Sequence, residues 1–477
     1  MSNFLDLIRK TKGKGRRDLK VFLSMSSNQL SALEQDIALH ALTRVAERKK
    51  ADDAFFKEQY LSSVPGEDAE VQAQKWNRAK HRIYKALVHY LKMQKMREHP
   101  AGGILGIACL EEMGLTELQA KTVKKEKDKL AREKHPNDQL YQYLLSEAAV
   151  RLRAMDRQKD VALDQMERDL DCFFIEKKLR CLCERANRKN VLNQAYRQHP
   201  QLDLWMVEKL ADSPTIKMQL YYHIHQMLTG QNPLAQYQCI DEMLKRERQA
   251  LDDFSWTEGH GYLINFCIQQ VNEWEIDFAR HCLNHIEAIG QQAWVLTVGK
   301  PNPASFRNAV NMGIIAGDIP WCESFIDRWQ SLFDQSGHEN LVCLSKASLL
   351  FYKGEHKKCE QLLGQFSFRD RYHKLAQRHL ELKLDFHKLT NGKYRHSAFE
   401  SNLKGRKSFL QRQDWIPDDR KEKLTRFLQA LAKLAKGKAV DVEDLRGQIY
   451  ILDWMWLSAQ MPDQKGGLLA SAGYKNP

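Results

Sequence analysis

Hydrophobic residues recur along most of the chain at intervals of three and four positions, the spacing of one face of an α-helix. Segment 306–329 shows the pattern clearly. Its two arms each carry an apolar face: Phe306, Val310 and Ile314, then Trp321, Phe325 and Trp329. Gly317 separates the arms and Pro320 follows it, the usual order where one helix ends and another begins. The segment therefore predicts a hairpin of two helices that needs similar neighbours to bury its apolar faces.

Comparable breaks recur through the second half of the chain. They lie 37 to 45 residues apart, at Gly230, Asn272, Gly317, Gly354 and Gly392. Five positions after each break comes Ala235, Asp277, Cys322, Cys359 or Ser397. We expect a small side chain there to let the second helix pack closely on the first. A period of this length built from two helices is typical of an α-solenoid, and chance alignment is the alternative.

Two of these units resemble the core of a tetratricopeptide repeat. One is Ala347-x3-Phe351-x2-Gly354-x4-Cys359-x3-Leu363, and the other is Val310-x6-Gly317-x4-Cys322-x3-Ile326. Over most of its length the chain also resembles an uncharacterised bacterial group of tetratricopeptide-like helical-repeat proteins. The resemblance implies a right-handed superhelix of helical hairpins that holds a protein or peptide in its groove.

The pattern divides the chain into three parts. Residues 1–150 predict a helical N-terminal region, residues 151–460 the tetratricopeptide-like solenoid, and residues 461–477 a flexible tail. Residues 12–17 read as a basic link, residues 101–110 as a short buried helix, and residues 442–459 as the helix that caps the stack.

Composition supports an all-α fold. Glycine and proline are scarce in this chain of 477 residues, whereas leucine, alanine, lysine, glutamate, glutamine and arginine are abundant, and these residues lose little side-chain freedom in a helix. The ten cysteines lie singly on apolar faces, as in a reduced cytosolic protein. Neither a signal peptide nor an apolar run of the roughly 20 residues that cross a bilayer is evident. We expect a cytoplasmic protein that does not insert into membranes.

The net charge of +13 is unevenly distributed. Residues 1–50 carry +6, residues 151–200 carry +4 and residues 351–450 carry +10, whereas residues 201–350 carry −8. The acidic middle favours a basic peptide as partner, and the basic flanks favour an acidic partner or nucleic acid. Uneven charge on solvated helix faces is the alternative.

The predicted function is a non-enzymatic interaction scaffold that binds a protein or peptide. First helices of such repeats usually line the concave side, so exposed groups on these helices are the candidate partner-binding residues. The candidates are Tyr222, His225, Arg307, Asn308 and Asn311.

Nucleic-acid binding is the second hypothesis, because a basic concave face could follow phosphates without reading bases. It rests on the basic flanks and on one set of basic residues. This set is Arg369, Arg371, Lys374, Lys404, Arg406 and Lys407.

Motifs for catalysis are absent from the sequence: there is no P-loop, GxSxG elbow, kinase set or HExxH pair. We expect neither enzymatic activity nor a cofactor. His281 and His285, spaced four apart on one helical face, could share a metal only if Cys267 or His260 converged on them. Ordinary packing of these histidines is the alternative. Paired carboxylates such as Asp252-Asp253 precede helices and predict caps.

Overall fold

The computed structural model describes residues 4–11, 13–25, 28–49, 51–63, 68–153, 161–192, 215–297, 299–368 and 370–460. Within these ranges the chain forms 22 α-helices, a two-stranded antiparallel ribbon and a short 3-10 turn, which confirms the all-α prediction. None of the described helices has both the length and the apolar character that a bilayer span requires. The chain forms two compact units, Met1–Phe174 and Ile175–Pro477. The sequence-based boundary after residue 150 thus lies within the first unit.

The first unit contains eight helices and the start of a ninth. They are α1 (Phe4–Lys10), α2 (Gly13–Leu23), α3 (Ala32–Ala46), α4 (Asp53–Ser62), α5 (Ala69–Glu98), α6 (Pro100–Glu112), α7 (Thr116–Arg132), α8 (Asp138–Arg153) and α9 (Val161–Leu192).

Two hydrophobic cores hold these helices together. Helices α1 to α5 enclose Phe4, Phe56 and Trp76, and helices α6 to α8 enclose a second cluster around Tyr141. Two local predictions are wrong here. Residues 13–17 form the first turn of helix α2 instead of a link. Helix α6 forms as predicted but is not buried, since Leu105 is 51% exposed.

The second unit continues α9 and adds thirteen helices. They are α10 (Ile216–Thr229), α11 (Pro233–Arg246), α12 (Asp253–Asn272), α13 (Phe278–Ala288), α14 (Gln291–Val295), α15 (Pro303–Ile315), α16 (Ile319–Gln335), α17 (Glu339–Tyr352), α18 (His356–Gly364), α19 (Arg371–Thr390), α20 (His396–Gln411), α21 (Asp418–Ala435) and α22 (Ile451–Ala459). Strands β1 (Leu296–Thr297) and β2 (Lys300–Pro301) pair between α14 and α15.

Helices of the second unit pack on their neighbours in a regular order. Consecutive helices contact each other from α10 to α13 and from α15 to α21. Alternate helices also meet: α10 packs on α12, α15 on α17, α17 on α19 and α19 on α21. The helices α15, α17, α19 and α21 therefore form one contiguous row.

The hairpin predicted around Gly317 is present as α15 and α16. Gly317 has a φ of +70°, a left-handed conformation that suits glycine. The Asp318 carboxylate then accepts a hydrogen bond from the backbone N–H of Trp321 at 3.1 Å and caps α16. The other four break residues also lie within two residues of the end of a helix.

The proposed small position after each break is right in only two units. Cys322 and Cys359 are fully buried between helices, whereas Ala235, Asp277 and Ser397 are exposed. In those three units, buried side chains further along the second helix form the packing face instead: Tyr237 and Ile240, Cys282 and Leu283, and Phe399 and Leu403. The breaks are therefore shared by all five units, but the packing register is not.

The last helix is shorter than predicted. Residues 443–445 form a 3-10 turn, and Gly447 has a φ of +79°, so that α22 begins only at Ile451. A buried ionic contact joins α22 to α19: Lys383 Nζ lies 2.6 Å from Asp453 Oδ1, and His379 Nε2 lies 2.8 Å from the same oxygen. The predicted tail, residues 461–477, lies outside the described residues.

Candidate functional site

Two places in the second unit gather chemical groups that the local fold leaves partly unused. The first is the arginine surface, defined here as the cations Arg307, Arg371, Arg420 and Lys423 with the rings of Tyr372, Trp415 and Tyr450. The second is the histidine cleft, defined as the pocket lined by His260, His281 and His285 together with Asp241, Lys245, Arg248, Trp256 and Asn284.

The Arg307 side chain on α15 is solvent-exposed, but many atoms of neighbouring residues lie close to its charged group. Burial of its surroundings lowers the pKa of Arg307, and the positive charge of Arg420 on α21 lowers it further. The row of helices α15, α17, α19 and α21 thus brings two arginines distant in sequence within electrostatic reach of each other.

Arg420 is held in place by aromatic residues. Its Nε donates a hydrogen bond to the Tyr450 hydroxyl at 3.0 Å, and its guanidinium carbon lies 5.9 Å from the centre of the Tyr372 ring. Lys423, one helical turn on, lies 5.7 Å from the centre of the Tyr450 ring. Burial raises the pKa of Tyr450, so its hydroxyl stays protonated at neutral pH.

Arg371 and Tyr372 occupy the first turn of α19. Asp370 caps this helix, because its carboxylate accepts hydrogen bonds from the backbone N–H of Tyr372 at 2.9 Å and of His373 at 3.0 Å. The cap fixes the start of the helix, where Tyr372 meets Trp415 at 4.8 Å between ring centres. The Arg371 guanidinium lies 5.3 Å from the centre of the Trp415 ring. Contacts between cations and aromatic rings thus run without interruption from Arg371 through Trp415 and Tyr372 to Arg420.

His373, which follows Tyr372 on α19, is affected by the charge of Arg307 on α15. Burial lowers its pKa, Asp370 opposes that shift, and the positive charge of Arg307 lowers it further. His373 is therefore within electrostatic reach of Arg307.

The cations of the arginine surface lack carboxylate partners. Within the described part of the chain, none of the four forms an ion pair. Other cations of the second unit do pair with carboxylates: Lys353 Nζ lies 2.7 Å from Glu323 Oε1. Because nearby like charges repel each other, an anion bound here would relieve that repulsion.

The residues predicted from sequence are distributed over several helices. Arg307 belongs to the arginine surface, and Asn308 and Asn311 lie half-buried on the same helix. Tyr222 and His225 are half-buried on α10, and no described contact joins them to the arginine surface.

The described basic candidates lie on α19 and α20, in different surroundings. Arg371 is part of the arginine surface, and Lys374 is exposed one turn further along α19. Lys404 and Lys407 are exposed on α20. Arg406, also on α20, is engaged within the fold: its Nε donates to Asn402 Oδ1 at 3.0 Å, and its guanidinium lies 3.7 Å from Glu381. Arg369 lies outside the described residues.

Sequence reasoning missed Tyr372, Trp415, Arg420 and Tyr450. A sequence signal existed for two of them, since Trp415 and Arg420 flank the break that precedes α21. Their approach to Arg371 and Arg307 depends on tertiary packing, which the spacing of residues does not encode.

The histidine cleft lies between α11, α12 and α13 and encloses about 260 Å³. His260 Nδ1 and His285 Nδ1 are 3.1 Å apart, and His285 Nε2 is 2.9 Å from the Tyr237 hydroxyl. Cys267 Sγ lies 3.7 Å from the same hydroxyl. These four groups form one hydrogen-bonded chain.

Both imidazoles of this chain are neutral at pH 7. Burial lowers the pKa of His260 to about 4, aided by His285, and burial lowers the pKa of His285 to about 4. The burial of the Tyr237 hydroxyl raises its pKa, so it remains a phenol.

The metal hypothesis required a third ligand beside His281 and His285. His260 does approach His285, and His281 lines the same cleft. Nevertheless, no three His, Cys, Asp or Glu side chains in the described ranges are arranged to hold a metal ion. The approach of His260 to His285 is a hydrogen bond between two imidazoles.

Sequence and structure comparisons give no relative from which a role could be transferred. Neither protein-family models, nor curated proteins, nor solved structures give a match to this chain.

Proposed function

We propose that the protein is a non-enzymatic interaction scaffold. Helices α10 to α22 form an α-solenoid of tetratricopeptide-like hairpins, and the groove of this solenoid binds an acidic segment of a protein partner at the arginine surface. The observation that carries the proposal is the approach of Arg307 to Arg420 without a carboxylate partner for either.

The order of helix packing supports the solenoid. In a stack of hairpins, each first helix contacts its own second helix and the first helix of the next hairpin. Helices α15, α17, α19 and α21 make these contacts with one another and with the helices between them. Arg307, Arg371, Arg420 and Lys423 all lie on helices of this row, which would line the groove.

The chemistry of the surface supports an acidic partner. Guanidinium groups bind carboxylates through two parallel hydrogen bonds, and neither Arg307 nor Arg420 uses its charge on a carboxylate of this chain. The rings of Tyr372 and Trp415 restrain the arginines, so that less side-chain entropy is lost when a partner binds.

Fluorescence anisotropy with a labelled glutamate-rich peptide tests this function. We expect binding at low ionic strength that weakens as salt is added, and a loss of about tenfold in affinity in Arg307→Ala/Arg420→Ala. Arg246→Ala is the matched control, because Arg246 ends α11, its side chain is 74% exposed, and it pairs with the adjacent Glu247. Equal binding by the double variant and the control would refute the arginine surface as the binding site.

Nucleic-acid binding is the second candidate function. Exposed Lys404 and Lys407 on α20 favour it, as do the basic residues 1–50 and 351–450. It ranks second because Arg371, Arg420 and Lys423 already lie over the rings on which single-stranded bases would stack. A single-stranded oligonucleotide that binds more tightly than a peptide of equal charge would reverse this order.

A further inference from the structure

We propose that the histidine cleft is a binding site for a phosphate group, either free or carried by a small metabolite. This site is separate from the arginine surface, and its argument is independent of the scaffold function.

The cleft contains a polar side-chain atom that makes no hydrogen bond within the fold. His260 is only 4% exposed, and its Nδ1 is committed to His285. Its second nitrogen, Nε2, has no hydrogen-bond partner among the described residues, although His260 lines the cleft. Because this nitrogen has no partner within the protein, it is available to bond to a ligand in the cleft.

The hydrogen-bonded chain allows this nitrogen to act as a donor. The Tyr237 hydroxyl donates to His285 Nε2, His285 Nδ1–H then donates to His260 Nδ1, and His260 carries its proton on Nε2. Cys267 completes the chain, because its thiol donates to the Tyr237 oxygen. An anion in the cleft favours this arrangement, in which His260 Nε2 carries a proton, over the reverse one, in which Nε2 carries none.

The rim of the cleft supplies hydrogen-bond donors on two ion-paired cations. Lys245 pairs with Asp241 at 2.6 Å, and Arg248 pairs with Asp253 at 2.5 Å. An ammonium has three donors and a guanidinium has five, so each retains donors for a ligand. The Arg248 guanidinium also lies 4.5 Å from the centre of the Trp256 ring, which restrains it at the rim.

A phosphate group fits this set of donors. His260, His281, Asn284, Lys245 and Arg248 present N–H groups from α11, from α12 and the turn before it, and from α13, so they surround the cleft. A tetrahedral oxyanion can accept from several directions at once, whereas a planar carboxylate offers fewer oxygens. The volume of about 260 Å³ leaves room for a small organic group beyond the phosphate.

Isothermal titration of the full chain with inorganic phosphate, and separately with glycerol phosphate, tests the site. We expect one phosphate per chain, with tighter binding of glycerol phosphate if the natural ligand is an ester and equal binding if it is free phosphate. His260→Ala and Lys245→Ala should each weaken binding about tenfold, and His260→Gln, which keeps an N–H donor, should restore part of the loss. His81→Ala, at an exposed histidine of α5, is the control and should bind like the wild type.

Three results overturn the proposal. They are the absence of phosphate binding by the wild-type protein, equal heats with phosphate and with chloride, and unchanged affinity in Lys245→Ala. The last result decides the matter even if His260→Ala fails to fold, because the Lys245 side chain is 70% exposed and its loss leaves the core intact.

Discussion

Gly313 on α15 lies directly against Cys322 on α16: a methyl group placed on Gly313 would stand 2.3 Å from Cys322 Sγ. Cys322 is fully buried, and its Sγ lies 3.6 Å from the carbonyl oxygen of Val310. The two helices of the central hairpin therefore touch at a point where neither residue can be enlarged. Cys322 acts as a packing residue, since burial raises its thiol pKa to about 12 and keeps it protonated.

We expect Gly313→Ala to lower the free energy of unfolding by about 1–3 kcal/mol, because the added methyl group overpacks the contact with Cys322. Chemical denaturation followed by circular dichroism measures the change. Gly405→Ala is the matched control: Gly405 lies inside α20 with nothing within 4 Å of the added carbon. It should raise stability by about 0.5–1 kcal/mol through helix propensity. Equal effects of the two substitutions would contradict the close contact.

Asp453→Asn should destabilise the protein by about 3–5 kcal/mol, because Lys383 would stay buried without its counter-charge. His379 would lose its carboxylate partner as well. Denaturant unfolding again provides the measurement. Asp327→Asn, at an exposed carboxylate of α16, should change stability by less than about 0.5 kcal/mol. A loss no larger than in Asp327→Asn would show that the contact does not anchor α22.

Stability should fall as the pH drops from about 6.5 to about 4, because His260 and His285 are held neutral in the folded state. Their folded pKa of about 4 lies below the unfolded value, so the unfolded chain binds more protons in this window and gains from acidification. The penalty for one imidazole approaches about 3 kcal/mol at the acid end.

The comparison of wild type with His260→Gln/His285→Gln isolates this effect. His356 also has a pKa lowered by burial to about 4, so the variant retains part of the acid sensitivity. We expect a smaller loss of stability between pH 6.5 and 4 in the variant, measured by thermal unfolding at each pH. Identical pH profiles would contradict the assignment of a neutral imidazole pair.

Much of the fold was predictable because its signals are local. Gly317 and Gly354 end helices through a backbone conformation that glycine adopts readily, and apolar spacing marks the helices themselves. Asp252 caps α12 as its position suggested, accepting from Ser255 N at 3.0 Å. The packing register failed for Ala235 and Ser397, because which face of a second helix is buried depends on the neighbours it meets.

The candidate sites were predictable only in part. Arg307 was a candidate because it lies on a first helix, but nothing in the sequence pairs it with Arg420. Likewise His285 was a candidate metal ligand by its spacing from His281, whereas its actual partner is His260 on the preceding helix. Both relationships arise from packing between segments distant in sequence, which periodicity cannot report.

A charge swap at the arginine surface tests the central claim most directly. In Arg307→Glu/Arg420→Glu, we expect the affinity for a glutamate-rich peptide to fall by at least about tenfold and the affinity for a lysine-rich peptide of equal length to rise, both measured by anisotropy at low ionic strength. Arg246→Glu should leave the preference of the wild type unchanged. If the swapped variant kept the peptide preference of the wild type, the arginine surface would not be where the partner binds.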